Sequence, residues 1–206
     1  MPDRRTIILE ASTRMIAQAG VRGLRVEQVA EQAGVSTALI YYHFSDRAGL
    51  LRETLAFVYD RADRYTSPYS GPGATDALSA LEQVLLLELQ DDENVKENST
   101  AWGELRSTAI FETDLREQLL DATRRWIDDV TALVDKALTE QGDRAGASAG
   151  ASGADGADPA AIAERLTALV EGLSERWLSG SIALDRARQM LREAITVELA
   201  AAKVLS

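Results

Sequence analysis

Leu115, Leu119, Ala122, Trp126, Val130, Leu133 and Ala137 recur at spacings of three and four along one segment of the chain. That spacing puts apolar side chains on a single stripe of an α-helix, the kind of stripe that normally faces a core. The same period runs through the rest of the sequence, and no segment shows a sustained two-residue alternation bounded by hairpin turns. The chain therefore reads as all-α. Its 206 residues, 46% hydrophobic and 27% charged, suffice for one good core or two smaller ones.

Caps and breakers divide this pattern into helices. The first is expected over about 4–18, with Ile8, Ala11 and Met15 inward and Gly20 as its left-handed stop. A short second helix over 26–32 turns Val29, Ala30 and Ala33 inward. Ser36 stands as N-cap of a third over 37–43, and Ser45 as cap of a fourth with Leu51, Leu55, Val58 and Ala62 as its inner row. The run SPYSGPG, Ser67 to Gly73, ends that helix. Helices over 76–90 and 96–110 precede the long stripe. Gly142 to Asp158, built of Gly, Ala, Ser and Asp with one Arg, reads as a flexible loop. Asp158 and Pro159 supply an N-cap and a first-turn proline for a helix to Ser179, with Ile162, Leu166, Leu169, Leu173 and Trp177 on one face. A last helix from Asp185 carries Ala187, Leu191, Ala194, Ile195 and Glu198 on a stripe. The resulting division is a head over 1–46, a linking helix over 47–66 and a C-terminal region over 67–206.

Several function classes are excluded. Cysteine is absent and histidine occurs once, which removes thiolate chemistry and the common zinc sites, so no metal or other cofactor is expected. There is no glycine-rich phosphate loop and no nucleophile elbow, and the single histidine lies far along the chain from the carboxylate runs Asp91-Asp92-Glu93 and Asp128-Asp129. The chain does not read as an enzyme. It has no apolar run of about 18 residues, and MPDRRTIILEAS lacks the order of a signal peptide, so a cytoplasmic protein without a membrane partner is expected. Net charge is -11, yet unevenly spread: residues 1–66 hold nine Lys/Arg against eight Asp/Glu, net +1, which leaves -12 on the remainder. The front segment is the part able to approach a polyanion.

A helix ending at Ala33, the turn Gly34-Val35-Ser36 and a second helix opening on the small residues Thr37 and Ala38 form a helix-turn-helix pattern. With Ile8, Leu9, Ala11 and Gly20 before it, and Tyr42-His43-Phe44 and Leu50-Leu51 after it, residues 4–60 resemble the TetR/AcrR family of one-component transcriptional regulators. Trp102, the Leu115 to Ala137 stripe, Gly142 and Leu166 to Leu173 resemble its BetI-like subgroup. The resemblance implies that Ser36 caps the recognition helix, and that Thr37, Ala38, Tyr41, Tyr42 and His43 form its DNA-facing side. Tyr42 and His43 would hold phosphates, with Thr37, Ala38 and Tyr41 nearer base edges. Where many relatives carry threonine and lysine at the starts of the second and fourth helices, this chain has Arg25 and Arg47, each able to hold a phosphate bidentately. Arg4 and Arg5 either form an arm along the DNA or are solvated terminal charges. Tyr41 and Tyr42 have packing against the fourth helix as their alternative, His43 has a plain surface role, and Phe44 reads as core.

The resemblance also implies a two-fold dimer on a pseudo-palindromic double-stranded operator, with release by a small-molecule effector. The last two helices are the dimer candidates, with Leu173, Trp177, Leu191 and Ile195 at the interface or else in the intrachain core. Leu85, Leu89, Trp102, Arg106, Phe111, Thr123 and Trp126 are the ligand-pocket candidates, with core filling as their alternative. Glu88 and Glu104 add carboxylates which, beside tryptophan, suit a cationic ligand. Coupling of sensor to head is expected through the fourth helix. A helical dimeric sensor or partner-binding protein without DNA binding is the competing function.

Overall fold

The computed structural model describes residues 3–66, 76–145 and 158–204. Among these every regular element is helical: α1 (Arg4–Gly23), α2 (Val26–Ala33), α3 (Thr37–Phe44), α4 (Arg47–Thr66), α5 (Ala77–Leu87), α6 (Glu93–Ala109), a 3-10 turn (Thr113–Leu115), α7 (Arg116–Ala145), α8 (Pro159–Leu178) and α9 (Leu184–Val204). None is long and apolar enough to cross a membrane.

The chain forms two compact units, residues 1–65 with 91–123, and residues 66–90 with 124–206. The grouping is not the linear one that breakers along the sequence suggest, because α6 packs along α1. The first unit buries Ile8, Leu9 and Ile16 of α1, Val29 of α2, Ile40 and Phe44 of α3, Leu51, Leu55 and Val58 of α4, and Ala101 and Leu105 of α6 in one cluster. Small polar residues join this core without an unmet donor: Ser12, Thr13 and Thr54 return their hydroxyls to the carbonyls four residues earlier, Ile8, Leu9 and Leu50. Burying Leu51 or Leu55 fully is worth about 2–3 kcal/mol relative to exposure.

Caps fix most helix starts. Asp3 accepts from the Thr6 N–H at 2.7 Å, and that bond holds its carboxyl below its ordinary value. Asp76, Asp92 and Asp158 cap α5, α6 and α8 in the same way. The expected cap of α4 is corrected. Ser45 has φ 66 and closes α3, donating its N–H to the Tyr41 carbonyl, while Asp46 accepts from the Gly49 N–H at 2.7 Å and caps α4. A residue with positive φ cannot hold its hydroxyl over the next helix in N-cap geometry. Other boundaries move as well: α1 runs past the break at Gly20 to Gly23, α5 ends at Leu87 rather than at residue 90, α6 starts at Glu93, three residues before Lys96, because Asp92 caps it, and α7 runs through Gly142 to Ala145. Residues 67–73, and 146–157 of the expected loop, lie outside the described residues.

The second unit buries Leu81, Leu85 and Leu89 of the α5 region with Val130 and Val134 of α7, Ile162, Leu166 and Leu173 of α8, and Leu191, Ile195 and Leu199 of α9. Three of the expected dimer residues are thereby corrected. Leu173, Leu191 and Ile195 are at most 2% exposed within the single chain, so they fill its own core, while Trp177 is half-buried. The stripe left exposed on α9 instead includes Glu193, Val197, Ala200 and Ala201. Arg165 of α8 grips Glu198 of α9 through two bonds of 2.9 and 2.5 Å, which hold that carboxyl below its ordinary value.

Candidate nucleic-acid interface

The presentation of α3 begins with the turn before it. Gly34 takes a left-handed conformation (φ 64, ψ 38) and donates to the Glu31 carbonyl, and Val35 donates to the Ala30 carbonyl at 2.9 Å. This paired return closes α2 and aims the chain into α3. The Ser36 hydroxyl then accepts from the Leu39 N–H at 3.2 Å. Ile40 and Phe44, 1% and 3% exposed, anchor α3 to the core.

With those two anchored, the helical period turns Ala38, Tyr41 and Tyr42 to solvent and leaves Thr37 and His43 half-buried at the flank. Tyr42 is 82% exposed and Tyr41 46%. The Tyr42 and His43 rings meet nearly edge-on, centroids 5.3 Å apart. Packing against α4, the alternative for the tyrosines, does not bury Tyr42. An exposed tyrosine pair offers hydroxyl donors to phosphate and flat rings to sugar and base edges without adding charge.

The arginines distribute unequally. Arg4 and Arg25 are exposed. Arg25 occupies the N-cap position of α2 without capping it, and donates to the Arg22 carbonyl at 2.7 Å. Arg5 pairs with Glu53 and lies over the Phe44 ring at 5.8 Å. Arg47 donates to the Val21 carbonyl at 2.6 Å, with Glu112 at 3.9 Å.

The seven expected ligand residues are not gathered in one unit. Trp102, Arg106, Phe111 and Thr123 belong to the first, Leu85, Leu89 and Trp126 to the second. Leu85 and Leu89 are fully buried and Trp126 packs on the second core, Trp102 packs on the first, and Phe111 is 78% exposed. A groove of about 370 Å³ on the second unit is lined by Ser79, Glu82, Leu86, Gln90 and Arg188 among others, and includes none of the seven. Glu104 does not stand free for a ligand either: it accepts from the Val21 N–H at 3.2 Å. Among the described residues no group of three or more His, Asp or Glu side chains is gathered as metal ligands would be.

The sequence reading missed Asp46 and the contacts of Val21. Asp46 was legible, since a cap-type residue three positions before Gly49 satisfies the N-cap spacing as well as Ser45 does. Nothing local signals that Glu104 and Arg47 would converge on one residue of another helix.

A capped, core-anchored helix that follows a glycine turn and shows its polar and aromatic side to solvent defines a helix-turn-helix DNA-binding protein. Residues 8–54 match the family model of bacterial regulatory proteins of the tetR family, and residues 77–200 match that of the C-terminal region of BetI-type transcriptional repressors. The chain belongs to the TetR family of bacterial transcriptional regulators. The HTH-type transcriptional regulator BetI of Burkholderia thailandensis is 28% identical over 180 residues, 87% of this chain and 83% of that protein. Among solved structures, a Rhodococcus sp. protein assigned to the TetR family is 44% identical, with a TM-score of 0.81 over 97% of this chain and 100% of that one. A transcriptional regulator from Saccharomonospora viridis in complex with choline is 25% identical, with a TM-score of 0.72 over 93% and 95%. These relatives are regulators of transcription.

Proposed function

We propose that this protein is a repressor whose two copies hold a pseudo-palindromic operator through α3, and which a small quaternary-ammonium effector of the choline class releases. The observation that carries the DNA half is Tyr42, 82% exposed on a helix whose neighbours Ile40 and Phe44 are locked into the core. In this reading Thr37, Ala38 and Tyr41 face base edges, Tyr42 and His43 hold phosphates, and the exposed Arg4 and Arg25 add charge-assisted contacts. Two recognition helices held about one DNA turn apart, roughly 34 Å, would fit the two half-sites.

The effector class is supported by the choline bound to the Saccharomonospora viridis regulator. For the homodimer, the exposed stripe of α9 around Val197 and the outward side of α8 at Ala168 and Gly172 are the surfaces with room, a Cβ at Gly172 meeting nothing within 4 Å.

The test is fluorescence anisotropy on an operator obtained by selection from genomic DNA, with choline and its uncharged carbon isostere 3,3-dimethylbutan-1-ol as titrants. Choline is expected to weaken the complex at least tenfold and the isostere to leave it unchanged. Equal effects would refute the cationic effector, and no duplex bound above a scrambled control would refute DNA reading in favour of the helical sensor without DNA.

A further inference from the structure

Val21 follows the break that Gly20 makes in the last turns of α1, shortly before α2, and is held on three sides. Its side chain is 1% exposed. Its N–H donates to Oε2 of Glu104 on α6 at 3.2 Å, and its carbonyl accepts from Nη2 of Arg47 at the start of α4 at 2.6 Å. The Leu24 N–H shares that carbonyl at 3.2 Å, and Glu112, just past α6, lies 3.9 Å from the same guanidinium. The residue before Val21 makes the arrangement possible. Gly20 has φ 70, and a Cβ built there would stand 2.8 Å from Glu104 Oε2, so only glycine admits both the turn and the carboxylate.

We propose that Glu104 and Arg47 are positioning residues for DNA reading, which fix Val21 from two other helices and so set the pose of the helix-turn-helix against α6. The inference rests on the DNA-binding reading and reassigns both side chains. Arg47, placed by sequence among the phosphate contacts, donates to the Val21 carbonyl, and Glu104, placed beside a cationic ligand, is the link from α6 to the head. The link to α6 thus runs directly into α1 as well as along α4. A guanidinium on the carbonyl and a carboxylate on the N–H are both charge-assisted bonds, the strong kind. Because both close on one residue, loss of either loosens the same turn.

The experiment is a double-mutant cycle in the full-length protein with Glu104→Ala, Arg47→Gln and the pair. It reads operator affinity against salt and hydrogen exchange of the Val21 amide. Each single variant is expected to lose affinity on the order of tenfold with the salt slope unchanged, and the pair to lose little more than one alone, since interacting residues are non-additive. The Val21 amide is expected to exchange faster in Glu104→Ala, and Glu104→Gln, which keeps an oxygen acceptor, to stay within about threefold of the parent. A salt slope reduced by about 0.9 in Arg47→Gln, the value for one lost phosphate contact, with losses that add in the pair, would overturn the proposal and return Arg47 to the DNA. Singles that bind as the parent does would overturn it as well, as would Glu104→Gln losing as much affinity as Glu104→Ala. If the parent bound no duplex, the DNA-binding reading would fall, while exchange at Val21 would still decide the clamp: protection lost in Glu104→Ala upholds it and unchanged protection refutes it. Should Glu104→Ala fail to fold, Glu104→Gln and Arg47→Gln carry the same comparison.

Discussion

Replacing Tyr42 by phenylalanine removes one hydroxyl from a side chain that is 82% exposed. The ring and its edge-on meeting with His43 stay, so folding stability is expected to change by no more than about 0.5 kcal/mol, the range for surface positions. If that hydroxyl donates to a phosphate, its loss costs about 1.5–3 kcal/mol, as for hydrogen bonds to charged groups. Operator affinity then falls about ten- to hundredfold. The salt dependence separates this from other causes, because the slope of log affinity against log salt counts phosphates neutralised by cations. Tyrosine carries no charge, so Tyr42→Phe should lower the whole line and leave its slope alone. Arg25→Gln should flatten the slope by about 0.9 if Arg25 meets a phosphate. Anisotropy titrations at four salt concentrations, with urea unfolding beside them, decide the matter. Parental affinity in Tyr42→Phe, or a slope that flattens with it, would refute the phosphate-donor placement of Tyr42.

Gly34→Ala places a side chain at φ 64 with nothing within 4 Å of its Cβ, so only backbone strain is expected, about 1 kcal/mol; a loss above about 3 kcal/mol in urea unfolding would contradict that. Leu191→Ala should cost the protomer about 2–5 kcal/mol, as a fully buried leucine does. Val197→Glu on the exposed stripe should leave protomer stability intact and shift sedimentation from dimer to monomer; a dimer that survives it would move the interface elsewhere. The Arg165 bond holds Glu198 below its ordinary carboxyl value, so the contribution of the pair is present above the unfolded value and fades as pH falls through the lowered one. Glu198→Gln should therefore lose up to about 1 kcal/mol at neutral pH and nothing near pH 2, and an equal deficit at both would refute the linkage.

Periodicity and caps carried much of the fold because they are local. The 3.6-residue stripe, Gly34 in its turn, Ser36 over Leu39 and Asp158 before Pro159 each depend on neighbours a few residues away. Phe44 was readable as core for the same reason, whereas packing against the fourth helix stayed open for Tyr41 and Tyr42 until burial of Ile40 and Phe44 fixed what α3 shows outward. Ser45 and Asp46 mark the edge of that legibility: both are cap-type residues, and only the backbone angle of Ser45 assigns the cap.

The sequence by itself determined an all-helical chain with a helix-turn-helix near its front. The tertiary structure decided where apolar stripes are spent. Leu173, Leu191 and Ile195 obey the helical period whether they face their own chain or a partner, and packing within the second unit settles them as core. It also decided what Arg47 and Glu104 do, because charged side chains on α4 and α6 reach Val21 only once the helices are packed. Contacts between residues 26 and 83 positions apart leave no periodic trace in a sequence.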